Sequence, residues 1–296
     1  MKVALLNCSP LPEPDPDEAP LLAALKAAGH EAQTVAWNTS EPGELAPFDA
    51  VLPRATWDYY HDLELFLEWL RVAATHTTLL NPLAVVRANA YKGYLPDLAA
   101  RGVATVPTRI VRRGAEGGGG AGASVLSIAR ERGWSELVIK PTVGAGSFLA
   151  LRTTAQDPAA QAHLDAILAG RDAMVQPFVR SVATSGERSI VCFAGEPSHA
   201  VHKMPRFKGE DELVKAADLT PRLESFSRSV LEAAGVTGLL YARVDCFEAE
   251  DGSPMLSELE LIEPSLFFGL APGSAERLVR ALESRALESS VDRAAR

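Results

Sequence analysis

Charged and large apolar residues alternate in two stretches near the end of this chain. One is Tyr241-Ala242-Arg243-Val244-Asp245; the other is Ser257-Glu258-Leu259-Glu260-Leu261-Ile262-Glu263-Pro264. A two-residue period is strand periodicity, with one face buried and the other presenting charge. Paired as a hairpin, the two stretches bring Asp245, Glu258 and Glu260 together. Hard oxygen ligands of this kind suit Mg²⁺ or Mn²⁺, above all where phosphate oxygens complete the coordination. The same pattern also describes an amphipathic hairpin with a solvated acidic face, and the choice between the two rests on what lies upstream.

At 296 residues the chain is long enough for two or three compact units. A net charge of -9 argues against a nucleic-acid coat and against an anionic membrane surface as partners. Met1 to Cys8 reads as a short strand leading into a Pro-rich loop rather than as a signal peptide. The three cysteines, Cys8, Cys192 and Cys246, are widely spaced inside apolar runs. They read as small buried hydrophobes, and the expected compartment is a reducing cytoplasm.

Val3 to Cys8 and Ala32 to Trp37 flank a helical pattern from Pro20 to Ala28 that closes at Gly29, a β-α-β opening. A third strand over Ala50 to Pro53, a helix over Asp62 to Ala74 and a fourth strand over Thr78 to Asn81 complete a small open α/β unit. Ligands of such units sit beyond the carboxyl ends of the strands. Arg54, Trp57 and Asp58 stand at one such end, where they can hold a carboxylate, an apolar surface and an amine, as an amino-acid-like substrate requires. A helix start with aromatics packed back on the sheet is the alternative.

Further along, a helix is expected over Ala88 to Arg101, carrying Lys92, and a strand over Thr108 to Val111. The tract from Gly114 to Ala123 holds six glycines without a Lys-Ser/Thr pair and reads as a surface turn. Glu136 to Pro141 is a buried strand with Lys140 near its end, followed by the turn Thr142-Val143-Gly144-Ala145-Gly146-Ser147 and a strand from Phe148. Glycines there let backbone N–H groups approach phosphate oxygens, and Lys140 supplies a point charge. Met174 to Val179 is a strand whose proline points to an edge or a hinge. Gly186 to Lys203 reads as a hairpin turning at Gly195-Glu196-Pro197, with Glu187, Arg188, His199 and Lys203 along it, and Met204 to Ala216 as a loop over a site.

In this order the features resemble the ATP-grasp superfamily, in particular its glutathione-synthetase-like and ribosomal-protein glutamate ligase-like carboxylate-amine ligases. The resemblance implies an N-terminal open α/β domain (1–88) followed by two α+β lobes, 89–180 and 181–296, that sandwich ATP. It implies that Lys92 and Lys140 contact the phosphates, with Gly144, Gly146 and Ser147 in the loop closing over them. Gln176, Phe178 and Val179 become the hinge at the adenine edge, and Glu187 and Arg188 ribose or phosphate contacts. Arg243, with Lys203 and Arg188, becomes catalytic; Asp245, Glu258 and Glu260 hold two Mg²⁺ ions; Arg54, Trp57, Asp58 and His199 hold the substrate. One departure is visible: the family has Glu-x-Asn on the second metal strand where this chain has Glu258-Leu259-Glu260, and Glu263 is a competing ligand.

The implied chemistry moves the γ-phosphoryl group of ATP onto a carboxylate, and an amine then displaces phosphate. The loop from Arg54 to Tyr59 and the run from Ser198 to Lys203 resemble a subset of small bacterial ATP-grasp proteins that includes D-cycloserine ligase. That resemblance implies ring closure within O-ureido-D-serine as the alternative to intermolecular ligation. A non-catalytic ATP-binding module is the third reading. Partners are expected to be small molecules, with a homodimer as the oligomeric state, and Lys140→Ala or Asp245→Asn is expected to abolish turnover while leaving the fold intact.

Overall fold

The computed structural model describes residues 1–114, 124–204 and 213–294, with side chains to residue 285. Strand β1 (Lys2–Asn7), helix α1 (Glu18–Ala27) and strand β2 (Glu31–Ala36) form the expected β-α-β unit. Strand β3 (Ala50–Ala55), helix α2 (Leu63–His76) and strand β4 (Thr78–Leu79) extend it. All pairings are parallel, in the order β2-β1-β3-β4. A parallel sheet covered on both faces needs apolar residues at consecutive positions. Val3 and Leu5 pack with Leu21 and Leu25 of α1, and Ala4 and Leu6 with Phe66 and Leu70 of α2. The chain leaves β1 first to one side and then to the other, so the topological switch point lies between the carboxyl ends of β1 and β3, where Arg54 stands.

The helix expected over Ala88 to Arg101 is broken into α3 (Leu83–Asn89) and α4 (Tyr94–Ala100). Asn89 causes part of the break by bonding across the molecule to the Leu259 carbonyl and the Leu261 N–H, at 2.8 and 2.9 Å. Tyr91 folds over Gly93 so closely that a Cβ there would lie 2.2 Å from a ring carbon. Lys92 therefore sits in a corner, its N–H bonded to the Thr142 carbonyl at 2.9 Å.

Strand β5 (Arg109–Val111), helix α5 (Val125–Arg132), strands β6 (Glu136–Pro141) and β7 (Leu151–Thr154), helix α6 (Pro158–Leu168) and strand β8 (Ala173–Pro177) make an antiparallel sheet in the order β5-β8-β6-β7. Leu137, Ile139, Ala173 and Val175 bury one face against α5 and α6. Alternation puts Lys140 and Gln176 on the other. Two expectations need correction. The strand expected from Phe148 begins at Leu151, because Ser147 and Leu149 take positive φ values of 61° and 50° that continue the turn. Strand β8 is interior, not an edge: its pairing with β5 ends at Val175, so Pro177 withholds no N–H from that neighbour.

Helix α7 (Ser181–Ser185), strands β9 (Glu187–Phe193), β10 (Glu196–Lys203) and β11 (Val214–Ala217), helix α8 (Pro221–Ala234) and strands β12 (Tyr241–Glu248) and β13 (Pro254–Glu260) precede the terminal helix α9 (Ser274–Ala294). The antiparallel order is β11-β10-β9-β12-β13. The β9-β10 turn is centred on Ala194-Gly195, both at positive φ, one residue before the expected site. A Cβ at position 195 would lie 1.8 Å from the Thr237 carbonyl oxygen, so only glycine fits. Of the loop expected over Met204 to Ala216, residues 205–212 lie outside the described residues, and Val214 to Ala217 pairs with β10 as a strand. The tract 115–123 is likewise outside them.

Ile190, Cys192, Ala242, Val244 and Leu259 bury the back of this third sheet with Val230 and Leu231 of α8 and Leu95 and Leu98 of α4. Its front meets the N-terminal sheet through Tyr241, whose hydroxyl donates to the Pro53 carbonyl at 2.7 Å. Asn81 ties the same junction: its amide N–H₂ donates to the Tyr241 and Leu261 carbonyls and its oxygen accepts from the Leu240 N–H, all within 3.0 Å.

Candidate active site

Register decides which charged side chains share a face. Asp245 lies opposite Glu258 on one side and Ser189 on the other; Arg243 lies opposite Glu260, and Lys203 opposite Glu187. Residues two apart on a strand point the same way. Lys203, Glu187, Asp245, Arg243, Glu258 and Glu260 therefore form one charged front on four adjacent strands. Glu263 lies beyond the end of β13 and is buried, within range of the charges of Glu260, Lys92 and Glu258.

The groups of this front are tightly paired. Arg243 donates from Nε and Nη2 to the two Asp245 oxygens at 2.9 Å each, and its Nη2 also donates to Glu260. Lys203 donates to Asp245 at 2.9 Å and pairs with Glu187 at 2.6 Å, and Glu187 accepts from the Ser257 hydroxyl at 2.6 Å. Burial by itself raises a carboxyl pKa, but Arg243 and Lys203 outweigh it at Asp245 and hold that group far below the usual range. Glu260 and Glu263 are less well compensated. Burial first, then neighbouring carboxylates, pushes Glu260 up to about 7 and Glu263 up to about 8.

Two lysines reach this front from elsewhere in the chain. Lys92 bonds Glu258 at 2.9 Å and the Gly144 carbonyl at 2.5 Å, joining the acidic face to the glycine turn. Lys140 is close enough to Glu258, Lys92 and Glu187 for their charges to act on its ammonium, whose pKa burial depresses. Glu258 is held low against burial by Lys92 and Lys140. Lys92 thus meets the acid cluster in a direct ion pair, and Lys140 lies within range of its charges. Gln176, 5 % exposed, donates to the Thr108 hydroxyl at 2.9 Å. The Phe178 ring lies 3.6 Å under the Arg152 guanidinium, and Val179 follows it out of β8. Gly146 and Ser147 stand exposed at the tip of the turn, at φ 56° and 61°.

Arg54 is 4 % exposed; its Nη2 donates to the Pro264 carbonyl at 2.6 Å, while Nε and Nη1 have no hydrogen-bond partner among the described residues. Trp57 donates to the Glu263 carbonyl at 3.4 Å, so both reach the end of the acidic run. Other expected members stand apart. Arg188 lies opposite His202 and Cys246, on the back of the sheet, because alternation turns it away from Glu187; it is corrected out of the charged front. Asp58 accepts from the Trp37 and Asn38 side chains at 2.7 and 2.9 Å, which engages both carboxylate oxygens inside the N-terminal unit. His199 is on the front side but buried, with its ring nitrogens on the Leu266 carbonyl and the Ser198 hydroxyl. Ser257, Asn89 and Tyr94 were not legible as site residues. Tyr94 and Asn89 pin the backbone of β13, and their only sequence signal is a polar side chain in an apolar helical run.

Two antiparallel sheets, with Lys140 from one and Lys92 from the α3-α4 corner turned towards the carboxylates of the other, behind an open α/β sheet, define an ATP-grasp ligase of the ADP-forming carbon–nitrogen type. Solved structures agree: the chain superposes on D-alanine–D-alanine ligase from Bacillus anthracis with a TM-score of 0.70 over 99 % of both chains, at 13 % identity, which speaks for fold. It superposes on the crystal structure of D-cycloserine synthetase DcsG with a TM-score of 0.86 and 30 % identity, over 97 % of this chain and 100 % of that one. Residues 3–81 match the family model of the D-cycloserine synthetase DcsG N-terminal domain. The cycloserine biosynthesis protein DcsG of Streptomyces lavendulae is 33 % identical over 293 residues, 92 % of this chain and 94 % of the relative. The chain belongs to the DcsG family of ATP-grasp ligases, and its activity is ATP-dependent ligation of a carboxylate to an amine-type nucleophile.

Proposed function

We propose that this ligase closes a ring within one small amino-acid derivative, with O-ureido-D-serine as substrate and D-cycloserine as product. The observation that carries this reading is the likeness to DcsG along nearly the whole chain, including the N-terminal unit that bears Arg54 and Trp57. A carboxylate oxygen of the substrate attacks the γ-phosphorus of ATP, ADP leaves, and an acylphosphate forms. The ureido nitrogen attached to oxygen then attacks the acyl carbon and phosphate departs, closing the ring, and water removes the carbamoyl group from that nitrogen as carbon dioxide and ammonia to leave D-cycloserine.

Lys92 and Lys140 neutralise the triphosphate, and the glycine turn supplies N–H donors around it. Arg243 and Lys203 stand beside the transferred phosphoryl group and offset its charge, which is the main demand of phosphoryl transfer. Gln176, Phe178 and Val179 border the adenine and Glu187 the ribose. The buried, partly unpartnered Arg54 receives the substrate carboxylate or ureido group, with Trp57 beside it.

The donor chemistry fits a hard divalent ion: carboxylate oxygens alone, three of them on one sheet face, with Glu260 and the nearby Glu263 pushed up in pKa by burial first and then by neighbouring carboxylates. Asp245, Glu258 and Glu260 would hold Mg²⁺, two ions or with Mn²⁺ as substitute, which supplies charge neutralisation to the phosphates. Among the described residues no His, Cys, Asp and Glu trio is drawn together as a closed cage, since each acid is engaged by Lys92, Arg243 or Lys203. We place the protein in a reducing cytoplasm, which its three free buried cysteines suit. No helix among the described residues is long and apolar enough to cross a membrane.

The test is ADP release from Mg²⁺ and ATP with O-ureido-D-serine as sole co-substrate, with the product identified by mass. Stoichiometric ADP and D-cycloserine support ring closure. Release that needs a second amine overturns it in favour of intermolecular ligation.

A further inference from the structure

The glycine turn between β6 and β7 is held at its tip by a group that plays no part in the chemistry above. Phe148 lies 4.5 Å, centroid to centroid, from Tyr60 and 5.8 Å from His61, two residues of the N-terminal unit just beyond the Arg54 loop. The Arg171 guanidinium stands 5.3 Å from the Phe148 centroid and donates from Nη1 to the Tyr60 carbonyl at 3.1 Å, bracing the pair from the α6-β8 connection. Val143, from the same turn, packs with Tyr60 against the core on the α2 side of the N-terminal sheet.

The turn is strained where this group holds it. Ser147 and Leu149, on either side of Phe148, are both non-glycine residues at positive φ. Such conformations persist where surrounding contacts impose them, and they cluster at ligand clamps. Phe148 also packs on Gly144, whose would-be Cβ lies 3.5 Å from the Phe148 Cβ, and the Gly144 carbonyl is the one that Lys92 grips. A contiguous line of contacts thus runs from Tyr60 through Phe148 and Gly144 to Lys92 and Glu258.

We infer that Tyr60, Phe148 and Arg171 are positioning residues that latch the glycine turn onto the N-terminal unit, so that the substrate-bearing loop and the phosphate-bearing turn are set in place together. This inference rests on the ATP-site reading of Lys92, Lys140 and the glycine turn. An acylphosphate is lost to water if the turn opens. A latch made by the N-terminal unit ties closure over the phosphates to the loop that carries Arg54.

The test uses the full-length protein and ATP with Mg²⁺ as probe. Phe148→Ala removes an aromatic pair and a cation–π contact, and calorimetry should show Mg·ATP bound about tenfold more weakly, which corresponds to about 1.4 kcal/mol. KM for ATP should rise by a similar factor with kcat changed less, and ADP released without ligated product should increase. Phe148→Tyr should restore tight binding. Tyr60→Ala should weaken binding in the parent and add little in the Phe148→Ala background. ATP affinity of Phe148→Ala within twofold of the parent overturns the latch, as do effects of the two alanine substitutions that simply multiply. Arg171→Gln, on a surface connection, repeats the test should Phe148→Ala lower solubility. Lys140→Ala separates the two layers: retained ATP turnover there sinks the ATP-site reading, whereas a lost turnover with an unaffected Phe148→Ala sinks the latch alone.

Discussion

Asp245→Asn tests how far the charged front is part of the fold as well as of the chemistry. Read from sequence, Asp245 is a ligand at the surface of a hairpin whose loss leaves the fold intact. The structure instead buries Asp245, so its loss should also cost stability. Asp245 is 2 % exposed and receives two hydrogen bonds from Arg243 and one from Lys203, each at 2.9 Å. Asparagine keeps the shape but removes the charge, and its amide N–H₂ meets a cation that had faced an oxygen. Removing one partner of a buried ion pair costs about 3–5 kcal/mol. Arg243 keeps Glu260 and Lys203 keeps Glu187, which places the cost at the lower end, about 3 kcal/mol. At about 1.6 °C per kcal/mol, from about 2.1 cal/mol/K of unfolding entropy per residue over 296 residues, Tm should fall by about 5 °C. Thermal unfolding followed by circular dichroism at neutral pH measures this, and a double-mutant cycle with Lys203→Met should return a coupling of about 1–3 kcal/mol. A shift below about 2 °C, or a coupling indistinguishable from zero, refutes the argument that this carboxylate holds the two cations in place. Turnover should be lost in either case.

Two further substitutions carry other signs. Lys140→Met should abolish ATP turnover with Tm unchanged or higher, because burial depresses the Lys140 pKa and so disfavours its ammonium in the folded state; a lower Tm would contradict this. His199 titrates below its usual 6.5, chiefly through burial, so the fold favours the neutral ring. Its contribution is present above pH 6.5 and is lost as the pH falls below that value, and His199→Gln should flatten this part of the Tm–pH curve; an unchanged slope would contradict it.

The N-terminal sheet was legible because β1 and β3 are short apolar runs separated by a helical pattern with a glycine stop, and such local signals survive without knowledge of neighbours. The hairpin of β12 and β13 was legible for the same reason. The break at Lys92 was not. The run from Ala88 to Arg101 has helical composition, and what ends the first helix is Asn89 bonding to residues about 170 positions away. Arg188 shows the converse: strand alternation alone turns it away from Glu187, so its placement at the site followed motif likeness where the two-residue period pointed the other way.

What the sequence by itself determined is the periodicity of each segment, and with it which side chains on one strand share a face. Alternation at Arg243 and Asp245, and at Glu258 and Glu260, already required two pairs of charges on a common side. Which pairs meet was decided by tertiary structure, because register between strands and the approach of Lys92 and Lys140 depend on contacts among residues far apart in the chain. The cations and carboxylates are individually costly to bury, and only the folded arrangement sets each beside a group of opposite sign.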